Sequence, residues 1–575
     1  MTALTALLAE YARLARDTRE KGLLFERLIG QFLRTDPLYS ARFDEVWLWQ
    51  DWPGRGGKVD TGIDLVARER YTGRLCAIQC KFYASDHYLQ KSDIDSFFTA
   101  SGKAGFSSRA IVSTTSHWSK HAEDAIADQQ INTFRIGLDE LEASDIDWSQ
   151  FGIERPEQMR REPLKELREH QLQALRDVTT GFETADRGKL IMACGTGKTF
   201  TSLRIAEQLV PHGGSVLFLV PSIALLSQSL REWAAQQVLP QRAFAICSDT
   251  KVGKRSEDYS VSDLAYPATT NATTLLAAAL EGGPVDGLTV YFSTYQSIGV
   301  VSDAQQAGLR DFDLVICDEA HRTTGVTLAG DGESAFVRVH DGNYIRARKR
   351  LYMTATPKLY GDAVKSKASE KLAVLASMDD EALFGATFHR LGFGAAVERG
   401  LLSDYRVLVL AVDEGTIGAN FQQEFAQQGE LNIPDAARIV GIYNGLAKRG
   451  VQGLGPWPGD IAPMRRAVAF SRSIKDSQKV SAMLDGFCGG TVASGVPAFP
   501  TAAEQERLND ATENADATQR AIAVKATAQP LGIHSQHVDG TMNVLIRNEK
   551  LDWLKAETDP EENSCRILTN ARCLS

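Results

Sequence analysis

The stretch Leu190-Ile-Met-Ala-Cys-Gly-Thr-Gly-Lys-Thr199 decides the fold of the larger part of this chain. Its first four residues are apolar and are typical of a short buried strand, and the following residues from Phe200 to Leu209 are typical of a helix. A glycine loop between a strand and a helix N-terminus can cradle a polyphosphate, because backbone N–H groups and the helix dipole favour negative charge. The strict phosphate-loop pattern has glycine where this chain has Met192. The stretch nevertheless predicts a nucleotide site in an α/β domain.

The loop itself supplies the candidate nucleotide-binding residues. The backbone N–H groups of Gly195, Thr196 and Gly197 are expected to face the phosphates of ATP. Lys198 would reach the β- and γ-phosphates, and the Thr199 hydroxyl would hold Mg²⁺.

A second motif, Asp313-Leu-Val-Ile-Cys-Asp-Glu-Ala-His321, lies downstream. Its apolar residues predict a buried strand with Asp318 and Glu319 at its C-terminal end, where ligands bind in an open parallel sheet. Asp318 would hold Mg²⁺, and Glu319 would polarise the attacking water. Asp-Glu-Ala-His after a phosphate loop resembles helicase superfamily 2, and the order of the motifs extends this resemblance over roughly residues 165 to 360.

Further segments match that superfamily. Gln171, on a helix upstream of the loop, has the donor and the acceptor that suit an adenine edge. The resemblance implies that His321, Thr354 and Thr356 couple ATP hydrolysis to DNA contacts. It also implies that three hydroxyl residues donate to DNA phosphates without reading sequence: Ser222, Ser293 and Thr294.

The first 155 residues contain a different pattern. A predicted hairpin brings Asp64 near Gln79 and Lys81, whose side chains share one face of their strand while Cys80 points to the other. Asp64 could hold Mg²⁺, Lys81 could stabilise charge on a phosphate, and Glu26 on a preceding helix could complete the metal shell.

These residues resemble the Mrr-like branch of the PD-(D/E)xK nucleases, in which glutamine replaces the second carboxylate. Asp60 is a second candidate for the metal-binding role. The alternative without a catalytic site is a hairpin whose Lys81 is an incidental surface residue.

Bulk properties set the class of protein. The chain has 575 residues, which suggests three to four domains, and its 43% hydrophobic content is ordinary for a globular protein. Its eight cysteines form no paired C-x-x-C sets, and no apolar run is long enough to span a membrane, so we expect a cytoplasmic protein. The net charge of −10 does not exclude a DNA partner, because local basic surface matters more than the total.

We therefore predict an α/β protein with three domains. Residues 1–155 form a Mrr-like nuclease domain, and residues 156–384 and 385–575 form two RecA-like doubly wound parallel-sheet motor domains. The second motor domain is expected to open with the strand Tyr405–Leu410, and it stops within the fifth helicase motif, before the Gln-x-x-Gly-Arg-x-x-Arg segment that supplies an arginine finger. We expect a fragment of a longer protein. Residues 256–284 and 415–459 receive no assignment.

A Mrr-like nuclease ahead of a superfamily 2 motor resembles the single-polypeptide, type ISP, restriction–modification enzymes. The resemblance includes the segments 45–49, 60–67, 77–83 and 93–103. It implies ATP-driven translocation along double-stranded DNA and cleavage after a second copy of the enzyme is met. S-adenosylmethionine would act only in a methyltransferase beyond Ser575.

Two alternatives remain open at this point. One is a nuclease–helicase of another phage-defence system without a methyltransferase. The other is a DNA-remodelling ATPase whose nuclease-like domain only grips DNA.

Overall fold

The described residues of the computed structural model form a five-stranded mixed sheet, an eight-stranded parallel sheet, a three-stranded parallel sheet and a two-stranded antiparallel sheet. The structure describes residues 3–57, 62–84, 87–103, 105–115, 117–126, 129–150, 159–247, 264, 266–281, 283, 285–327, 335–360, 374–404, 433–448, 463–485, 531–539, 542, 544–558 and 563–571. The chain divides into two compact units, Met1–Asp404 and Tyr405–Ser575.

The N-terminal region is built on a sheet in the order β1-β2-β3-β4-β5. The first three strands pair antiparallel, and β4 and β5 continue the sheet in parallel. The hairpin predicted from the sequence is β2–β3, where Leu65 lies opposite Ile78. The elements are α1 (Ala3–Leu14), α2 (Thr18–Thr35), α3 (Pro37–Arg42), β1 (Phe43–Leu48), β2 (Leu65–Glu69), β3 (Leu75–Lys81), α4 (Lys91–Ser101), β4 (Phe106–Ser113), α5 (Lys120–Ile126), β5 (Asn132–Ile136) and α6 (Leu138–Glu142).

The motor region follows within the same unit. Its main sheet has the order β15-β6-β13-β11-β7-β10-β8-β9 and is parallel throughout. Its elements are α7 (Glu169–Thr184), β6 (Arg187–Met192), α8 (Lys198–Leu209), β7 (Ser215–Val220), α9 (Ile223–Gln236), β8 (Gln241–Ile246), β9 (Ala268–Thr269), α10 (Ala272–Leu280), β10 (Leu288–Thr294), α11 (Ile298–Gln306), β11 (Phe312–Cys317), β12 (Gly325–Thr327), β13 (Ala347–Thr354), β14 (Val374–Ala376), α12 (Glu381–Phe384), β15 (Ala386–Leu391) and α13 (Phe393–Glu398).

These strands form because their sequences are continuous apolar runs. Every residue of β7 is buried, as are the central residues of β6 and β11. Strands covered by helices on both faces need such runs, whereas a half-exposed strand would alternate polar and apolar residues. The parallel arrangement brings the C-terminal ends of β6, β11 and β13 to one edge, where the phosphate loop lies.

The second unit is described in part. Its parallel sheet has the order β16-β18-β17. The elements are α14 (Ile433–Leu446), β16 (Arg466–Phe470), α15 (Ile474–Leu484), β17 (Gly532–Asp539), α16 (Val544–Lys555) and β18 (Ser564–Ala571). The α/β fold class with RecA-like parallel sheets is thereby confirmed. The strand predicted at Tyr405–Leu410 lies outside the described residues.

The domain boundary predicted at residues 384/385 stays a prediction, although strand β15 lies beyond it and joins the sheet that contains the phosphate loop. Strand β15 pairs with β6 in the first motor sheet, and the Ala193 N–H donates to the Leu391 carbonyl at 2.9 Å. The segment therefore completes the edge beside the phosphate loop, and the compact unit extends to Asp404. Strand β15 was not predicted from the sequence, because its pairing with β6 joins segments that are about 200 residues apart.

Asp36 provides a test of how a buried carboxyl affects stability. It caps α3 by accepting hydrogen bonds from the N–H groups of Leu38 (3.0 Å) and Tyr39 (3.3 Å), and only 4% of the residue is exposed. Burial raises the pKa of Asp36 from 3.8 to about 6, against the opposing effects of those N–H groups and of Arg231. The folded state therefore binds this proton more tightly than the unfolded state.

We expect Asp36→Asn to flatten the pH dependence of stability. Between about pH 4 and 6 the wild-type protein loses stability as Asp36 ionises, up to about 3 kcal/mol, whereas asparagine keeps the cap without ionising. Melting temperatures at pH 5 and pH 8 measure the effect. An equal decrease in melting temperature in both proteins would contradict the assignment.

Candidate active sites

The first site lies at the C-terminal end of β3. Asp64 precedes β2, and its Oδ2 accepts a 2.7 Å hydrogen bond from the Cys80 N–H. The Asp64 N–H in turn donates to the Ile78 carbonyl at 2.9 Å, so the backbone on both sides holds the carboxylate beside β3. The structure therefore brings Asp64 and the Gln79-Cys80-Lys81 segment together, as the hairpin predicted.

Gln79 is the most informative residue of this site. It is 3% exposed, and its Nε2 donates to the Gly62 carbonyl at 3.1 Å. Its Oε1 is buried and has no hydrogen-bond partner among the residues that the structure describes. An amide oxygen left unpaired inside a protein is costly, and coordination by a cation would satisfy it.

Glu26 lies on α2, which packs against β1 and β3. Burial raises the pKa of the Cys80 thiol, and the negative charges of Asp64 and Glu26 add to the rise while Lys81 opposes it. The charges of Asp64, Glu26 and Lys81 therefore all act on the Cys80 thiol. Asp60, the competitor for the metal-binding role, lies outside the described residues.

The second site is the phosphate loop of the motor. Gly195 and Gly197 have φ values of 80° and 82°, which L-residues with side chains rarely adopt. Gly197 caps α8, and Lys198 and Thr199 occupy the first turn of that helix. A Cβ at Gly197 would collide with Gln171 Nε2. The glycines are therefore required both for the turn and for the close approach of α7.

The upstream helix α7 supports the loop directly. Gln171 Oε1 accepts from the Arg168 N–H at 2.9 Å, and Gln171 Nε2 lies 3.4 Å from the Gly197 carbonyl. His170 Nε2 donates to the Thr196 carbonyl at 2.9 Å. The Gln171 amide therefore bonds to protein groups in this structure. Its recognition of adenine stays a prediction. The contact of His170 was not foreseen, although the residue adjoins Gln171 in sequence.

The acidic pair lies at the end of β11. The Asp318 N–H donates to the Leu219 carbonyl at 2.9 Å, and the Tyr295 hydroxyl donates to the Asp318 carbonyl at 2.8 Å. Burial raises the pKa of Asp318 to about 6, the charge of Glu319 adds to the rise, and Lys198 opposes it. The charge of Lys198 therefore acts on the Asp318 carboxylate, and the role of Asp318 in holding Mg²⁺ stays a prediction.

Glu319 has a strained backbone. Its φ of 47° places a residue with a side chain in the left-handed region, at a cost of about 1–2 kcal/mol. The carboxylate Oε2 lies 3.2 Å from His321 Nδ1. Strain of this kind clusters at functional sites, where the surrounding structure maintains it.

The predicted coupling residues lie together. His321 Nδ1 is 3.0 Å from Thr354 Oγ1, and the Thr356 N–H donates to the same hydroxyl at 3.2 Å. Burial lowers the pKa of His321, although the charge of Glu319 opposes the shift. A continuous path thus joins Glu319 to the end of β13. Its role in coupling stays a prediction.

The three predicted phosphate contacts differ in exposure. Ser293 and Thr294 are buried, and their hydroxyls donate to the Thr294 carbonyl (3.0 Å) and to Ser297 Oγ (3.2 Å). We therefore correct this expectation for Ser293 and Thr294, because protein groups engage both hydroxyls inside the fold. Ser222 is partly exposed and caps α9.

Two family models match this chain. The model described as restriction endonuclease matches residues 34–158, and the model described as type III restriction enzyme, res subunit, matches residues 164–359.

The described part of the chain has no helix long and apolar enough to cross a membrane.

Individual proteins give more specific similarities. The chain is 26% identical over 231 residues to the probable helicase A859L of African swine fever virus (isolate Pig/Kenya/KEN-50/1950), covering 40% of this chain and 22% of the relative. It is 39% identical to the ATP-dependent type ISP restriction-modification enzyme LlaBIII bound to DNA, with a TM-score of 0.76, covering 98% of this chain and 34% of that one. A nuclease-deletion mutant of the type ISP enzyme LlaGI, in complex with a DNA substrate mimic, is 33% identical with a TM-score of 0.44.

The chain therefore joins a segment that matches the restriction endonuclease model to a segment that matches the model of the type III restriction enzyme, res subunit. Over 98% of its length the chain is similar in structure to a type ISP restriction–modification enzyme. It spans about a third of the length of LlaBIII and about a fifth of the viral helicase.

Proposed function

We propose that this chain is the nuclease and motor part of an enzyme that moves along double-stranded DNA by hydrolysing ATP and then cuts the DNA. One observation carries the proposal: a single compact unit, Met1–Asp404, contains both the Asp64 centre and the phosphate loop with Asp318. The similarity to a DNA-bound type ISP enzyme supports this reading.

The nuclease centre fits Mg²⁺. Asp64 offers a carboxylate, and Gln79 offers a buried amide oxygen without a partner among the described residues. Glu26, whose charge acts on the neighbouring Cys80, would add a second carboxylate, and oxygen ligands of this kind are those that Mg²⁺ prefers. When bound, the ion would lower the pKa of the attacking water. Lys81 would offset the charge that develops on the phosphate.

The motor centre would take ATP with Mg²⁺ as its substrate. Lys198 and Thr199, at the N-terminus of α8, would hold the terminal phosphates and the ion, and Asp318 would provide a second contact to the ion. Glu319, held by its backbone and by His321, would orient the attacking water.

A double-strand break needs more than one nuclease centre of this type, since each cuts one strand. We therefore propose a second copy of the enzyme as the partner during cleavage. S-adenosylmethionine enters the proposal only as the cofactor of a methyltransferase in a longer enzyme.

Substitutions of Gln79 distinguish a role in metal binding from a role in packing alone. We expect Gln79→Glu to retain cleavage within about tenfold of wild type at saturating Mg²⁺, because a carboxylate oxygen is also a good ligand. Gln79→Leu has a similar size but no oxygen and should lose at least about 100-fold. Nicking rates as a function of Mg²⁺ concentration measure both changes. A fully active Gln79→Leu enzyme would show that this amide does not serve the metal.

ATP dependence tests the function as a whole. The full-length enzyme should cut double-stranded DNA in the presence of Mg²⁺ and ATP but not when ADP replaces ATP. Triplex displacement on the same DNA should show movement before cleavage. Equal cutting with ADP would contradict cleavage driven by translocation.

A further inference from the structure

An ion pair joins the predicted nuclease region, residues 1–155, to helix α9 of the predicted motor region. The guanidinium of Arg231, on α9, contacts the carboxylate of Glu140, on α6. The Tyr39 hydroxyl, on α3, donates to Glu140 Oε1 at 2.9 Å. The Glu140 and Arg231 side chains are 6% and 25% exposed, so the pair is largely removed from water.

Other nuclease carboxyls also face this guanidinium. Burial raises the pKa of both Asp36 and Asp145, and the positive charge of Arg231 opposes the rise in each case. Lys165 also acts on Asp145. Arg231 is thus the motor cation that three carboxyls of the nuclease region share, since it pairs with Glu140 and acts on Asp36 and Asp145.

The rest of the contact is extensive. One hydrophobic core runs without interruption from the nuclease helices into the motor and includes Leu38 of α3 and Leu230 of α9. At the other end of the contact, Arg74 pairs with Glu281 at 2.8 Å. These contacts explain why residues 1–404 form one compact unit.

The opposite end of α9 faces the DNA-binding side of the motor in the proposed function. Ser222 caps this helix and follows β7 at the same edge of the sheet as the phosphate loop. Arg231 is nine residues further along, which corresponds to about 13 Å of helix. A single short helix therefore carries both the predicted phosphate contact and the attachment point of the nuclease.

We propose that Arg231 is a positioning residue that holds the nuclease domain on α9, so that the nuclease centre cuts at a fixed distance from the DNA held by the motor. The proposal rests on the proposed function. Removing one partner of a buried ion pair leaves the other charge uncompensated, so Arg231→Met should loosen this attachment without touching the catalytic residues of either centre.

Hydrogen exchange measures the attachment in the full-length enzyme without DNA or ATP. In Arg231→Met, amide exchange in α3 and α6 should accelerate by about tenfold or more, while exchange in α8 should not change. Arg231→Lys keeps the charge and should restore most of the protection. The matched control is Arg176→Met, which breaks the exposed Arg176–Glu169 pair on α7 and should change neither segment.

Cleavage mapping then tests positioning. With ATP and Mg²⁺, Arg231→Lys should give the same distribution of cut positions as the wild-type enzyme, whereas Arg231→Met should broaden that distribution and keep ATP hydrolysis within about twofold of wild type. Unchanged exchange in Arg231→Met, or faster exchange with an unchanged distribution of cuts, would overturn the proposal. A wild-type enzyme that never cuts in the presence of ATP would instead refute the proposed function, because the exchange measurement does not require cleavage.

Discussion

Asp64→Ala should reduce DNA cleavage by the full-length enzyme at least about 10³-fold, with ATP hydrolysis within about twofold of wild type. The substitution removes the carboxylate that the Cys80 N–H holds at 2.7 Å beside Gln79, and no second carboxylate occupies the position of Gln79 in this motif. Supercoiled plasmid cleavage with Mg²⁺ and ATP measures the loss, and triplex displacement on the same protein measures translocation.

A second variant of the nuclease centre and a control variant show whether the loss of cleavage is specific to this centre. Lys81→Ala should also stop cleavage, since it removes the positive charge near the phosphate. Asp95→Ala removes an exposed carboxylate of the same domain, paired with Lys91 on α4, and should cut normally. Normal cleavage by Asp64→Ala would remove the nuclease from this centre. Loss of translocation by Asp64→Ala would show that translocation depends on the nuclease centre.

Local pattern was sufficient to predict the local geometry of the two candidate centres. The phosphate loop and the Asp318–Glu319 pair each end an apolar strand, and a parallel sheet brings such ends to one edge. The antiparallel hairpin similarly placed Asp64 beside Gln79 because strand side chains alternate. In each case a short stretch of sequence determines the geometry.

Contacts between distant segments were not predictable in this way. Glu140 and Arg231 are 91 residues apart, and both resemble ordinary surface charges in sequence. Their burial follows from how the N-terminal region, with α3 packed on α9, meets the rest of the unit, which local periodicity does not encode. The burial of Ser293 and Thr294 also depends on distant segments, because their strand β10 lies between β7 and β8 in the sheet.

Lys198→Ala should abolish ATP-dependent translocation, and cleavage should be lost with it. Lys198 is the first residue of α8, where the helix N-terminus and its amine would together clamp the terminal phosphates. We expect ATP turnover to fall by at least about 10³-fold. Steady-state hydrolysis in the presence of DNA measures this loss. Arg348→Ala removes a cation that is 76% exposed on the same sheet and should retain turnover.

Glu319→Gln should separate binding of ATP from its hydrolysis. The amide keeps the size of the side chain near His321 but cannot polarise the attacking water, so the variant should bind ATP with nearly wild-type affinity and fail to turn it over. Equilibrium binding of a fluorescent ATP analogue, set beside the hydrolysis rate, distinguishes it from Lys198→Ala, in which both should decrease. If Lys198→Ala hydrolysed ATP at the wild-type rate, or if Glu319→Gln did so, the corresponding role in the motor centre would have to be given to another residue.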